Sequence, residues 1–147
     1  MLVKFNLNPK FQPTWIAINT TEKTAKSERM ADAIAHLVND WQIQGTAAGK
    51  IKMISLYEIT RFYTQNKHVV CEVGQQVYRI KSRIYELSER LPPDTFIQIS
   101  SSEIVSIASI DSLALTKTGS YQVNLTNGET TFTSRRYMQK LRKEFLK

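Results

Sequence analysis

Three clusters along this sequence carry side chains able to donate hydrogen bonds to an anion or to the edge of a base. They are Lys67 and His68 in "YTQNKHVV", the run Ser100, Ser101 and Ser102 in "FIQISSSEIVSIASIDSL", and Ser134, Arg135, Arg136 and Lys140 in "SRRYMQK". Short hydroxyls permit close approach and donate to phosphate or to either base edge, and an arginine can fork onto guanine O6 and N7. An anionic partner beside Lys67 and His68 favours the imidazolium. Each cluster also has a plainer reading: a solvated hairpin tip, a turn closed by hydroxyls, and the charged face of a packed terminal helix.

Material for catalysis is thin. The chain has two histidines and one cysteine, without a glycine-rich phosphate loop. His36 lies out of phase with the apolar face of its helix and reads as solvated. Cys71, inside the apolar run "HVVCEV", lacks flanking cations and reads as a buried structural thiol. The acidic residues are scattered. Neither an enzyme, nor a cofactor, nor a metal is expected.

The elements that must position the three clusters follow from periodicity. The chain has 147 residues and a formal net charge of +7, enough for one full domain with a short appendage. Charge is uneven: residues 135–147 carry six basic side chains against Glu144, whereas residues 51–115 carry seven of each sign. A basic C-terminus favours an anionic partner. No apolar run reaches the roughly 18 residues of a membrane span, and a secretory signal is not evident, so a cytoplasmic location is expected.

From Thr20 to Gln44 the positions Met30, Ala33, Ile34, Leu37, Val38 and Trp41 follow one helix face. Before it, "LVKFNL" and "TWIAIN" read as short strands, and after it "QGTAAGK" reads as a helix stop and linker. The expected domains are therefore a strand-and-helix extension over 1–46 and a mainly β module over 50–147. In the module, short runs rich in Ile, Val, Thr and Tyr alternate with turn residues, and "LTNGET" is the strongest hairpin signal. Two helices interrupt the strands, "SRIYELSERL" with Ser82 as its cap and a C-terminal helix capped by Ser134.

Taken in order, "IKMISLYEITRFYT", "VYRIKSRIYELSERLPPDTFIQISSSEIVSIASIDSL" and "YQVNLTNGETTFTSRRYMQKLRK" resemble the LytTR-type DNA-binding domain of bacterial regulators, from about Ile51 to Lys147. The resemblance implies an elongated arrangement of small antiparallel sheets with short helices, whose loops enter successive major grooves of double-stranded DNA. It implies DNA contacts at Lys67 and His68, at Ser100, Ser101 and Ser102, and at Arg136 with Ser134, Arg135 and Lys140 beside it. On that reading the serines form a DNA-facing edge while Ile99, Ile104 and Val105 turn to the core.

The sequence departs from the family at Gln98, Ser100 and Ser101, where larger donors are usual, and at Ser106, where asparagine is usual; this shifts weight toward phosphate contacts. Fifty N-terminal residues are too few for a phosphoacceptor receiver. The resemblance is to stand-alone transcriptional regulators, whose extension serves a homodimer or a regulatory partner protein, sometimes a small membrane protein. The rival readings are a basic protein-interaction module and an RNA-binding β module.

Overall fold

The computed structural model describes residues 16–145 of the chain, with the side chains of 36–40 and 145 outside the description. The expected strand "LVKFNL" falls outside it too. The described residues divide into two compact units between Val38 and Asn39.

In the first unit, Ile16–Thr20 has no regular structure, so the strand expected over "TWIAIN" is absent from its described part. Helix α1 follows at Ala25–Asp40. Its start is fixed by a reciprocal cap: the Ser27 N–H donates to Thr24 Oγ1 at 3.2 Å and the Thr24 N–H donates to Ser27 Oγ at 2.9 Å. Met30 and Ile34, four apart, are half-buried, whereas Ala33 is exposed.

The second unit is built from strands. They are β1 (Gln42–Ala47), β2 (Lys50–Ser55), β3 (Arg61–Gln65), β4 (His68–Val73), β5 (Gln76–Ile80), β6 (Phe96–Ser100), β7 (Glu103–Ser106), β8 (Ile110–Leu115), β9 (Tyr121–Leu125) and β10 (Thr130–Phe132). Two short helices join them, α2 (Ile84–Arg90) and α3 (Met138–Phe145). All pairings are antiparallel, in a seven-stranded sheet ordered β2-β1-β5-β4-β3-β7-β6 and a three-stranded sheet ordered β10-β9-β8. A mainly β protein with short helices is thus what the alternating pattern produces, with most strands in one large sheet.

The segment expected as a linker is a hairpin. "QGTA" closes β1, and Ala48 and Gly49 form a two-residue turn with φ of 49° and 75° before β2. Gly45 is needed for close approach, since a Cβ there would lie 2.6 Å from Ile54 Cδ1 and 2.8 Å from Tyr78 Cβ. The "LTNGET" hairpin forms, with positive φ at Gly128 alone rather than at both turn residues. The cap of α2 is also one residue later than expected: Glu86 Oε2 accepts the Arg83 N–H at 2.7 Å.

Two apolar cores result. The first packs Phe62, Cys71, Ile54, Leu87, Phe96 and Ile104 under α2, with the Phe62 and Phe96 rings edge to face at 5.7 Å. The second gathers Ile97, Ile99, Val105, Val123, Leu125 and Leu141 between β6, β7, the small sheet and α3. Strands β6 and β7 serve both, because alternate side chains leave opposite faces of the pleat.

Candidate nucleic-acid interface

Two tight turns carry the first two clusters. Gln65 and His68 pair across the β3–β4 hairpin, leaving Asn66 and Lys67 as a two-residue turn with φ of 50° and 65°. Left-handed backbone at both positions matches the twist of the flanking strands. Lys67 and His68 are exposed at this tip. Ser100 and Glu103 likewise pair across β6–β7, after a register shift between Gln98 and Ser100, and Ser101–Ser102 form the turn. The serine run is therefore the tip of the β6–β7 hairpin.

Its three hydroxyls divide the work. Ser100 Oγ accepts the Ser102 N–H at 3.2 Å and shares a hydrogen bond of 3.2 Å with Ser102 Oγ. Both hydroxyls thus hold the turn; Ser101 and Ser102 are exposed and Ser100 is half-buried. Ser102 O also accepts the Thr64 N–H at 3.0 Å, which fastens the serine tip to the end of β3 beside the Lys67 tip. Ile99, Ile104 and Val105 are buried, as the alternation requires.

The third cluster is anchored from behind. The Ser134 N–H donates to Ile99 O at 2.9 Å, and Leu141 is fully buried in the second core. Ser134 makes no side-chain cap, and a 3-10 turn, Arg135–Tyr137, leads into α3. Arg135 reaches back to Thr118 O at 3.4 Å, whereas the Arg136 guanidinium lies over the Tyr137 ring, 5.8 Å from its centroid. Both arginines and Lys140 are exposed. Arg142 has a structural place: its Nε donates to the Tyr121 hydroxyl at 3.0 Å.

An open groove of about 560 Å³ runs between these features. Lys67, Ser101 and Tyr137 border it, and so do Gln98, Arg83 and Tyr85. One residue from each predicted tip and the neighbour of Arg136 are thus brought together, while His68, Ser134, Arg135, Arg136 and Lys140 do not line it. Arg83 and Tyr85 were not anticipated. The signal was present: Ile84 occupies the inward position of α2, so its two neighbours must flank the helix start.

Three acidic residues gather on Arg61, two of them largely buried. The Arg61 guanidinium donates to Glu72 Oε2 at 3.0 Å and Glu103 Oε1 at 3.3 Å, and pairs with Glu129. Asn127 Nδ2 donates to Glu72 Oε1 at 3.0 Å and Thr131 Oγ1 to Glu103 Oε2 at 2.6 Å. Burial alone would lower the Arg61 pKa, but the hydrogen bond and charge of Glu72, with Glu103 and Glu129, raise it overall. The network ties the large sheet to the β9–β10 turn.

A family model, the LytTr DNA-binding domain, matches residues 49–146. The chain belongs to the LytTR family. An uncharacterized HTH-type transcriptional regulator of Staphylococcus aureus (strain MSSA476) is 29% identical over 143 residues, covering 96% of this chain and 97% of its own. A similarly named protein of strain MRSA252 is 28% identical over the same share. Among solved structures, the LytTr DNA-binding domain of a Bacillus cereus protein described as a methyl-accepting/DNA response regulator aligns with TM-score 0.66 and 18% identity, over 70% of this chain and 94% of its own.

LytTR membership makes the module a DNA-binding domain. Ser106, at a family position usually held by asparagine, is buried and its N–H donates to Thr60 O at 2.9 Å. The Cys71 thiol of the LytTR core is fully buried, and burial pushes its pKa up to about 12, so it stays protonated and unreactive near neutrality. No group of His, Cys, Asp and Glu among the described residues is arranged to hold a metal ion. No described helix is long and apolar enough to cross a membrane.

Proposed function

We propose that the protein is a cytoplasmic transcriptional regulator that recognises particular duplex sequences through its LytTR module, residues 50–147 with the β1–β2 hairpin. Lys67 and His68, the Ser100–Ser102 tip, and Arg136 with Ser134, Arg135 and Lys140 make the contacts. The observation that carries the reading is the fastening of the Lys67 and Ser101 tips side by side, on a groove whose far border is Tyr137 beside Arg136. Lys67, Ser101 and Tyr137, far apart in sequence, thereby border one groove, which supports a shared ligand. The names of the staphylococcal relatives, matched over nearly their whole length, add support for a regulatory role. The N-terminal extension serves a homodimer or a regulatory partner protein.

Selection of bound duplexes from a random pool tests this directly. A convergent sequence is expected, and recovery of a random pool overturns sequence recognition. Arg136→Ala should then cost about 1–3 kcal/mol of discrimination at one position if it reads a base, or lower the salt dependence uniformly if it meets phosphate. Competition with single-stranded RNA that displaced the selected duplex at equal concentration would replace the duplex reading with an RNA one.

A further inference from the structure

The groove bordered by Lys67 and Ser101 holds a second cation beyond the predicted contacts. Arg83 stands at its α2 side, exposed, with its backbone fixed by the Glu86 bond at 2.7 Å and by Ile84 buried in the first core. Lys67 stands at the tip side. Among the described residues neither cation has a carboxylate within 4.0 Å. Tyr85, 59% exposed, Tyr137 and Ser101 add hydroxyls along the same border.

Each strand of a duplex presents a ridge of sugar and phosphate, with a negative oxygen pair at each step. A groove of about 560 Å³ is too small for a duplex but admits such a ridge. Its two cations, unpaired among the described residues, suit an anion, and hydroxyls at its border suit phosphate oxygen.

We infer that this groove seats the phosphate backbone of one DNA strand, with Arg83 forking onto phosphate oxygens opposite Lys67, and Tyr85 donating beside it. The inference rests on the DNA-binding reading and adds Arg83 and Tyr85 to it. Arginine suits the role because its planar fork matches two phosphate oxygens. A contact of this kind carries register rather than sequence, so it strengthens binding to every duplex alike.

The test uses the full-length protein and two fluorescent duplexes, one selected and one scrambled, titrated from 50 to 200 mM salt. Arg83→Ala is expected to weaken both duplexes by the same factor and to reduce the slope of log affinity against log salt by about 1. Arg83→Lys should restore the slope, and an unchanged melting temperature in both variants excludes a folding effect. Tyr85→Phe should weaken both duplexes without changing the slope. Unaltered affinity and slope in Arg83→Ala, with Arg136→Ala still impaired, overturns the groove and leaves the DNA-binding reading standing. Loss confined to the selected duplex makes Arg83 a base reader and also overturns it. Wild-type protein that binds neither duplex removes both conclusions.

Discussion

At Arg61, one guanidinium is shared among three carboxylates, and its side chain is only 15% exposed. Replacing it with methionine leaves the carboxylates of Glu72 and Glu103, 6% and 12% exposed, without their counter-ion. Loss of one partner from such a network costs about 3–5 kcal/mol, so Arg61→Met should unfold at markedly lower urea than wild type. A midpoint shift equivalent to under 1 kcal/mol would show that water already compensates these acids. Cys71 gives a pH prediction. Its thiol ionises near 9.0 when free and about 12 when folded. A raised folded pKa means that its contribution is complete below about pH 9 and is lost as pH rises toward 12. Tyr63, raised by burial and then by Glu72, acts in the same direction. Cys71→Ala should therefore lose less stability than wild type between pH 9 and 12, in denaturant melts read at each pH. The cysteine's place was legible from its apolar neighbours. Arg61 was not, because its partners lie 11, 42 and 68 residues away along the chain.

Turns and breakers are where local pattern and tertiary demand disagree. The small residues of "QGTAAGK" suggest a break, yet Gly45 is a strand residue without room for a methyl group and Gly49 closes a hairpin. Gly45→Ala should destabilise by about 1–3 kcal/mol through overpacking against Tyr78, measured by thermal melting; a neutral result would mean that the β1–β2 hairpin shifts freely on β5. The Asn66–Lys67 turn separates stability from binding. Lys67 occupies left-handed backbone, which costs an L-residue roughly 1 kcal/mol relative to glycine. Lys67→Gly is expected to raise the melting temperature slightly while weakening DNA binding. Unchanged binding alongside higher stability would show that the lysine contributes nothing to the interface. Strand alternation told which of Ile99, Ile104 and Val105 face inward, but it also carried "EIVSIASI" through as one strand. A 3-10 turn at Ile107–Ser109 interrupts it, where β7 leaves the large sheet and β8 enters the small one.

For the whole molecule, order along the chain was more informative than any single motif: the three polar clusters and the closing "NG…SRR" block foretold the family, whereas the sharing of one groove by Lys67, Ser101 and Tyr137 required the sheet order. The second unit contains both cores and every predicted contact, so residues 39–147 are expected to fold alone and retain salt-dependent DNA binding. A fragment that is unfolded by circular dichroism would assign a structural role to the first unit. Strands β6 and β7 have a further effect, as a party wall between two rooms. Ile104 and Phe96 furnish one side, and Ile97, Ile99 and Val105 the other. Neither room can be emptied while the wall stands, so the amides of these five residues should be the last to exchange with heavy water. A ligand pulling on the serine tip would load both halves at once, making that tip as stiff as the protein itself.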